Sequence, residues 1–207
     1  MARTTAPLFS LDASGSLANA VVFSKWRGRQ YVRRHAIPKN PQTPAQVGIR
    51  AMMKFLSQEY KDLKTIVDAQ FAEPAAAKNI SAFNSFVAYN MRRWREYRGP
   101  SQAYPALDSA TAVTITQSLT GGQRNVLISN DPSADSDNWG ILIFRSTVAI
   151  VTANWNLCIA IVHAQGTDPV TFTDAPLAAG TYHYRSAICN IDGKIGTACA
   201  DATASVT

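Results

Sequence analysis

The chain has 207 residues and 46% of them are hydrophobic, which is enough to bury a core and excludes a disordered polymer. Its formal net charge of +6 is unevenly distributed, because residues 1–104 carry 16 Lys and Arg against 6 Asp and Glu, whereas residues 105–207 carry 4 against 8. The basic half favours an anionic partner, either nucleic acid or an acidic protein surface, and the alternative is that the charge only maintains solubility.

Neither secretion nor membrane insertion is indicated. There is no apolar run of the length of a signal peptide, and no window approaches the roughly 20 apolar residues that cross a bilayer. The cysteines Cys158, Cys189 and Cys199 are odd in number and widely spaced, so neither a disulfide framework nor a CxxC metal site is expected. We therefore expect a chain that is kept in a cytosol, or assembled there into something larger, with its thiols buried.

Residues 1–42 are predicted to form an extended basic arm with short strands. The run NAVVFS favours a strand, RGR suits a hairpin turn, and QYVRRHAI favours a second strand. On that strand Tyr31 and Arg33 point one way and Val32 and Arg34 the other, so neither face is cleanly apolar. Such a strand lies on a partner's surface more readily than in a core. The candidate partner-binding residues are Trp26, Arg27, Arg29, Tyr31, Arg33, Arg34, Pro38, Asn40 and Pro41.

Residues 43–98 are predicted to form a small helical region. The motif TPAQ at residues 43–46 combines a capping residue, a proline suited to the first helical position and a capping-box glutamine. Apolar residues then follow a helical period up to a break near Pro74, and Ser81 can cap a second helix. We expect two helices that pack as a hairpin with exposed, basic ends, followed by a linker at residues 99–109.

Residues 110–207 change to a period of two, which is typical of strands. Seven short runs rich in Val, Ile, Thr and aromatic residues are separated by turn signals, and they read TAVTITQSL, RNVLISND, WGILIFRST, NLCIAIVHA, PVTFTD, TYHYRSAICN and ACADATASV. This number of strands in a segment of about 100 residues is typical of an immunoglobulin-like or fibronectin type III sandwich. The predicted fold class is therefore a two-part α+β chain, with an arm and helices before an all-β sandwich.

The run LAAGTYHY carries a resemblance that supports the sandwich. It resembles the L-x-P-G-T-x-Y entry to strand F of fibronectin type III domains, where a tyrosine closes a corner. Ala179 stands where that pattern has proline, and the tyrosine spacing is shifted by one, so either Tyr182 or Tyr184 is left as the corner tyrosine. The resemblance implies a fold and no particular function, because such sandwiches host many activities.

Motifs for catalysis or metal binding are lacking. The histidines, which show no metal or catalytic spacing, are His35, His163 and His183. No GxSxG elbow occurs, and TGGQRN lacks the lysine and serine of a phosphate loop. Asp131, Asp135 and Asp137 only partly resemble a calcium loop and are interpreted as an Asp-rich turn. We expect no catalytic, cofactor-binding or metal-binding residues, no cofactor, and a protein that is not an enzyme.

Residues 4–57 resemble the N-terminal portion of a group of tailed-bacteriophage proteins that share a pattern of the form GxxG…vvfs…rGxxyvR…PxNPxTxxQxxxR. The matching residues are Gly15, Val21, Val22, Phe23, Gly28, Tyr31, Val32, Arg33, Pro38, Asn40, Pro41, Thr43, Gln46 and Arg50. This resemblance implies a phage origin and a place among virion structural proteins, and it implies no biochemical activity.

We therefore expect a non-enzymatic virion protein, assembled in the bacterial host cytoplasm. The first hypothesis is a capsid decoration or cement protein, anchored by its basic arm to the major capsid protein or to other virion proteins. A head–tail connector or tail component is the second hypothesis, and a homo-oligomer is left open. The third is a nucleic-acid-binding protein, because Trp26 and Tyr31 lie among arginines as stacking surfaces do, although no recognised nucleic-acid-binding motif is present. No membrane partner is expected.

Overall fold

The computed structural model describes residues 3–4, 13–27, 29–37, 39–108, 114–132, 137–164 and 169–207. Within these ranges the fold is mixed α+β, with two α-helices and three antiparallel sheets. The chain divides into two compact units, which we call the N-terminal unit (residues 1–41) and the C-terminal unit (residues 42–207).

The N-terminal unit contains a four-stranded antiparallel sheet. Its strands follow one another in chain order, and they are β1 (Arg3–Thr4), β2 (Ala13–Leu17), β3 (Val21–Trp26) and β4 (Arg29–Arg34). The segment predicted as an extended arm thus pairs its short strands with one another. The predicted arm began its first strand at NAVVFS, but β2 precedes that run and pairs with β3.

Two tight turns produce this sheet. Ala18 and Asn19 both have positive φ, at 48° and 54°, and Ala20 donates its N–H to Leu17 O at 3.0 Å. Positive φ at both central residues is the mark of a type I′ turn, whose twist matches that of the flanking strands. Arg27, with φ 49°, starts the second turn, so the hairpin predicted at RGR is confirmed.

The two helices are α1 (Pro44–Ala76) and α2 (Ala82–Arg95). At the start of α1, Gln46 Oε1 accepts the backbone N–H of Thr43 at 3.4 Å, and at the start of α2, Ser81 Oγ accepts the N–H of Asn84 at 3.2 Å. Both helix starts were predicted from these capping residues. The helices contact each other through pairs such as Phe71 and Phe86, whose rings are 5.3 Å apart. No helix in the described ranges is long and apolar enough to cross a membrane.

The described residues of the C-terminal unit form seven further strands. They are β5 (Ile115–Gly121), β6 (Val126–Pro132), β7 (Asn138–Ser146), β8 (Cys158–His163), β9 (Val170–Asp174), β10 (Gly180–Asn190) and β11 (Ala202–Val206). Each of the seven runs predicted from the sequence overlaps one of these strands. They form a three-stranded sheet, in the order β5-β6-β9, and a four-stranded sheet, in the order β11-β10-β7-β8.

The four-stranded sheet of the C-terminal unit, β11-β10-β7-β8, is buried on both faces. On β7, Ile141 and Ile143 join a hydrophobic cluster that includes Ile128 of the three-stranded sheet. The alternating residues Leu142 and Phe144 join a second cluster, which contains residues of α1 and α2. Every β7 residue from Asn138 to Phe144 is therefore buried, as expected of a strand that is covered on both sides.

Arg93 joins α2 to two other segments. Its Nε donates to Gly99 O at 2.8 Å and a terminal nitrogen donates to Gly193 O at 3.1 Å, while Asp108 accepts from both terminal nitrogens. Its side chain is only 6% exposed, whereas Arg92, Arg95 and Arg98 near the end of the same helix are exposed, as expected of basic helix ends. The residues after α2, predicted as a linker, are thus bonded into the unit, and Ser101 exchanges two hydrogen bonds with buried Asn90.

We predict that Arg93→Met lowers the free energy of unfolding by about 2–4 kcal/mol, because it leaves two buried carbonyls without their donor and removes one of the two arginines that bind Asp108. The neighbouring side chain of Arg92 is 81% exposed, and Arg92→Met is the matched control, with an expected change within about 0.5 kcal/mol. Urea unfolding measures both values. Equal losses in the two variants would show that Arg93 is not a structural centre.

Candidate functional site

The net charge of the molecule lies in the N-terminal unit. Residues 1–41 carry seven Lys and Arg against one Asp, which accounts for the formal +6 of the whole chain. Residues 42–207 carry 13 basic and 13 acidic residues and are formally neutral. A positive field concentrated in a small unit attracts an anionic surface and accelerates encounter with it. The N-terminal unit is therefore the candidate functional site.

The register of β3 and β4 brings four of the predicted residues onto one face. Trp26 lies opposite Arg29, Ser24 opposite Tyr31, and Val22 opposite Arg33. Directly opposed residues of an antiparallel pair share a face, and so do alternate residues along one strand. All three of these pairs therefore lie on the same side of the hairpin. We call this side the basic face, and it consists of Trp26, Arg29, Tyr31 and Arg33. All four residues are exposed.

Arg27 extends the basic face at its turn end. Its guanidinium lies 4.8 Å from the centroid of the Trp26 ring, within the range of a cation–π contact. The Trp26 side chain is still 64% exposed, so the indole offers a large apolar surface next to two arginines. Exposed Trp, Tyr and Arg together are the residue types that contribute most to protein interfaces, and they also stack on nucleic-acid bases.

The remaining predicted residues lie elsewhere. Arg34 is on the opposite face of the hairpin, where it is paired with Val21. Asn40 and Pro41 are exposed and follow β4 without regular structure, and Pro38 lies outside the described residues. The structure thus brings five of the nine candidates together: the four residues of the basic face and Arg27.

A second polar cluster, in the C-terminal unit, was missed by sequence reasoning. Buried Glu59 of α1 accepts the indole N–H of Trp139 at 2.8 Å and lies 2.7 Å from Nδ1 of His163. Glu59 and His163 border a cavity of about 320 Å³ beside Phe172. The pair Glu59 and His163 is separated by 104 residues, so no local motif could have indicated it. Both contacts fasten α1 to the four-stranded sheet.

The other buried titratable groups are held in internal hydrogen bonds. Tyr184 donates to Asp174 at 2.9 Å, Arg145 binds the same carboxylate, and burial raises the pKa of the Tyr184 hydroxyl. Burial also raises the pKa of the Cys158 thiol to about 12, which keeps it protonated and unreactive at neutral pH. Groups of three or more potential metal ligands are absent from the described residues, and Asp135 of the predicted Asp-rich turn lies outside them.

No protein-family model and no curated protein sequence matches this chain. Among solved structures, the chain shows similarity to pectate lyase PelI from Erwinia chrysanthemi in complex with tetragalacturonic acid, with a TM-score of 0.30 and 20% identity. The match covers 44% of this chain and 27% of the lyase chain. A similarity of this size is too low to indicate a shared fold or a shared activity.

We predict that Trp26→Phe removes most of the tryptophan emission that acrylamide can quench, because Trp94 and Trp139 are buried and Trp155 packs edge-on against Trp94 at 4.4 Å. Stern–Volmer analysis of the purified chain measures the quenchable fraction. Trp155→Phe serves as the control and should lower this fraction much less, because Trp155 is half-buried whereas Trp26 is 64% exposed. If the two variants are quenched equally, Trp26 is not the exposed indole of the basic face.

Proposed function

We propose that this chain is a non-enzymatic structural protein of a bacteriophage virion, attached to the particle through its N-terminal unit. One observation supports the proposal most. The residues that carry the formal net charge of +6 belong to the same small unit that exposes Trp26, Tyr31 and arginines on one face of its sheet. Within the virion, capsid decoration or cementing is the role that we propose. A protein that binds only the assembled shell shifts the assembly equilibrium toward that shell.

We also propose that the two sheets of the C-terminal unit form a fibronectin type III-like sandwich. Three strands in the order β5-β6-β9 and four in the order β11-β10-β7-β8 share a hydrophobic cluster, which supports this assignment. The hydroxyl of Tyr182 donates to the backbone oxygen of Ala178 at 3.1 Å, as a corner tyrosine does. Tyr184 instead donates to buried Asp174. We therefore assign the corner to Tyr182.

The attachment is tested by replacing Arg27, Arg29, Arg33 and Arg34 together with Gln. We predict that the occupancy of this variant on purified, DNA-free phage heads falls by about tenfold or more, because four exposed charge interactions are lost. Co-sedimentation at physiological salt followed by quantitative gel analysis measures the occupancy.

The matched control removes four exposed charges from the C-terminal unit, at Lys54, Lys61, Lys78 and Arg95. It has the same net charge as the test variant and should bind heads nearly as well as the wild-type chain. If both variants lose occupancy equally, the attraction of the chain to the heads depends on the total charge of the chain, and the basic face is not the attachment surface.

Nucleic-acid binding is the second candidate function, favoured by the exposed Trp26 indole between Arg27 and Arg29. If the arginines bind phosphate, affinity for duplex DNA should fall steeply as salt rises, and Arg33→Ala combined with Arg34→Ala should reduce the log–log salt slope by about 2. Fluorescence anisotropy across a salt titration measures this slope. An unchanged slope would exclude these two arginines as phosphate contacts.

A further inference from the structure

One edge of the N-terminal sheet is a strand whose outward hydrogen-bonding groups can be identified. His35 donates its N–H to Ala20 O at 2.8 Å, which marks these two residues as a hydrogen-bonded pair of the antiparallel ladder. Such pairs alternate along a ladder, so Arg33 and Tyr31 also direct their backbone groups toward β3. The N–H and C=O groups of the intervening residues, among them Val32 and Arg34, therefore point away from β3.

This outward side of β4 has no strand partner among the described residues. β4 is the last strand in the order β1-β2-β3-β4, and the Val32 side chain is 52% exposed. An open edge with alternating donors and acceptors is a template for an additional strand. Natural edge strands are protected from unwanted pairing by charged side chains, and three of the six β4 residues are arginines. Uncharged strands are thereby disfavoured at this edge.

We infer that the N-terminal unit docks by strand addition, in which an extended acidic segment of a shell protein pairs with the outer edge of β4. This inference rests on the proposed function and adds to it the mode of docking and the chemistry of the partner segment. Arg29 and Arg33 lie on the same face on either side of Tyr31. Since residues opposite one another on neighbouring strands interact, the incoming strand should carry acidic residues at positions i and i+4 with an apolar residue between them.

Charge and hydrogen bonding disfavour the other occupants. Two copies of β4 would bring six arginines together without a carboxylate in either strand, and each N-terminal unit carries a formal +6. Like charges on adjacent strands are destabilising. A nucleic-acid backbone offers phosphate oxygens that accept hydrogen bonds, so it would leave the outward carbonyls of β4 unpaired. A polypeptide strand satisfies both the donors and the acceptors.

The test uses the full chain and a blocked synthetic peptide in which a central Val is flanked at alternate positions by Asp. We expect the amide protons of Val32 and Arg34 to become protected from solvent exchange by about tenfold or more when the peptide binds, because they gain strand partners. The amides of Tyr31 and Arg33 already face β3 and should not change. Amide exchange followed by NMR measures all four.

The control peptide carries Lys in place of both Asp residues, and it should give no protection. Binding of the acidic peptide without protection of the two outward amides would show a contact through arginine side chains only and would overturn strand addition. Absence of binding, or equal binding of both peptides, would also overturn it. If neither peptide gives protection and a single-stranded oligonucleotide shifts the Trp26 signals, strand addition is overturned and nucleic acid is favoured as the occupant.

A backbone variant separates this inference from the proposed function. Val32→Pro removes an outward N–H and leaves the ladder to β3 without a lost hydrogen bond, as proline on an edge strand does. Val32→Thr removes the same side chain but keeps the N–H. We expect head occupancy to fall by about tenfold for Val32→Pro relative to Val32→Thr.

Equal head binding of these two variants would overturn strand addition and leave the proposed attachment intact. Circular dichroism of both variants verifies that the sheet is retained. Failure of the wild-type chain to bind heads would instead count against the proposed function. The peptide experiment contains no phage particle and still decides whether β4 accepts an acidic strand.

Discussion

Strand β7 lies inside a sheet that must bury apolar side chains on both faces, and the C-terminal unit is organised around this constraint. Its alternating residues contribute to two hydrophobic clusters, one shared with the three-stranded sheet and one shared with the helices. The helices therefore cannot be detached from the strands without exposing one of these clusters to water. Bonds across this core, such as those of Arg93 and Glu59, hold helix, sheet and connecting segment together.

The same constraint changes how the charge of the chain is interpreted. Counted by halves of the sequence, the chain has a basic first part and an acidic second part. Counted by compact units, the basic helical region and the acidic second part of the sequence belong together and cancel, as the pair Arg93 and Asp108 illustrates. What remains is the formal +6 of residues 1–41, displayed beside exposed aromatic residues on a sheet with an open edge. The division into units thus concentrates the interaction chemistry at the N-terminus.

Local features of the fold could be predicted from the sequence, whereas contacts between distant residues could not. The capping residues Thr43 and Ser81 and the alternation of the seven later strands are local signals, and the structure confirms them. The turn at Ala18 and Asn19, which joins β2 to β3, lacks the glycine that usually marks such turns, so β2 was missed. The bond from Arg93 to Gly193 joins residues 100 positions apart, and only the folded chain brings them together. For the candidate site, residue types and the side-chain alternation on β4 were predictable, but the open edge became evident only from the order of the strands.

The central claim is that the N-terminal unit binds a protein shell. The most direct measurement is co-sedimentation of the purified chain with empty, DNA-free phage heads, run in parallel with free duplex DNA at physiological salt. We predict that the chain sediments with the heads and does not bind the DNA, because the basic face and the open edge of β4 match an acidic protein strand. Binding to duplex DNA without binding to the heads would contradict the claim and would identify the same arginines as phosphate contacts.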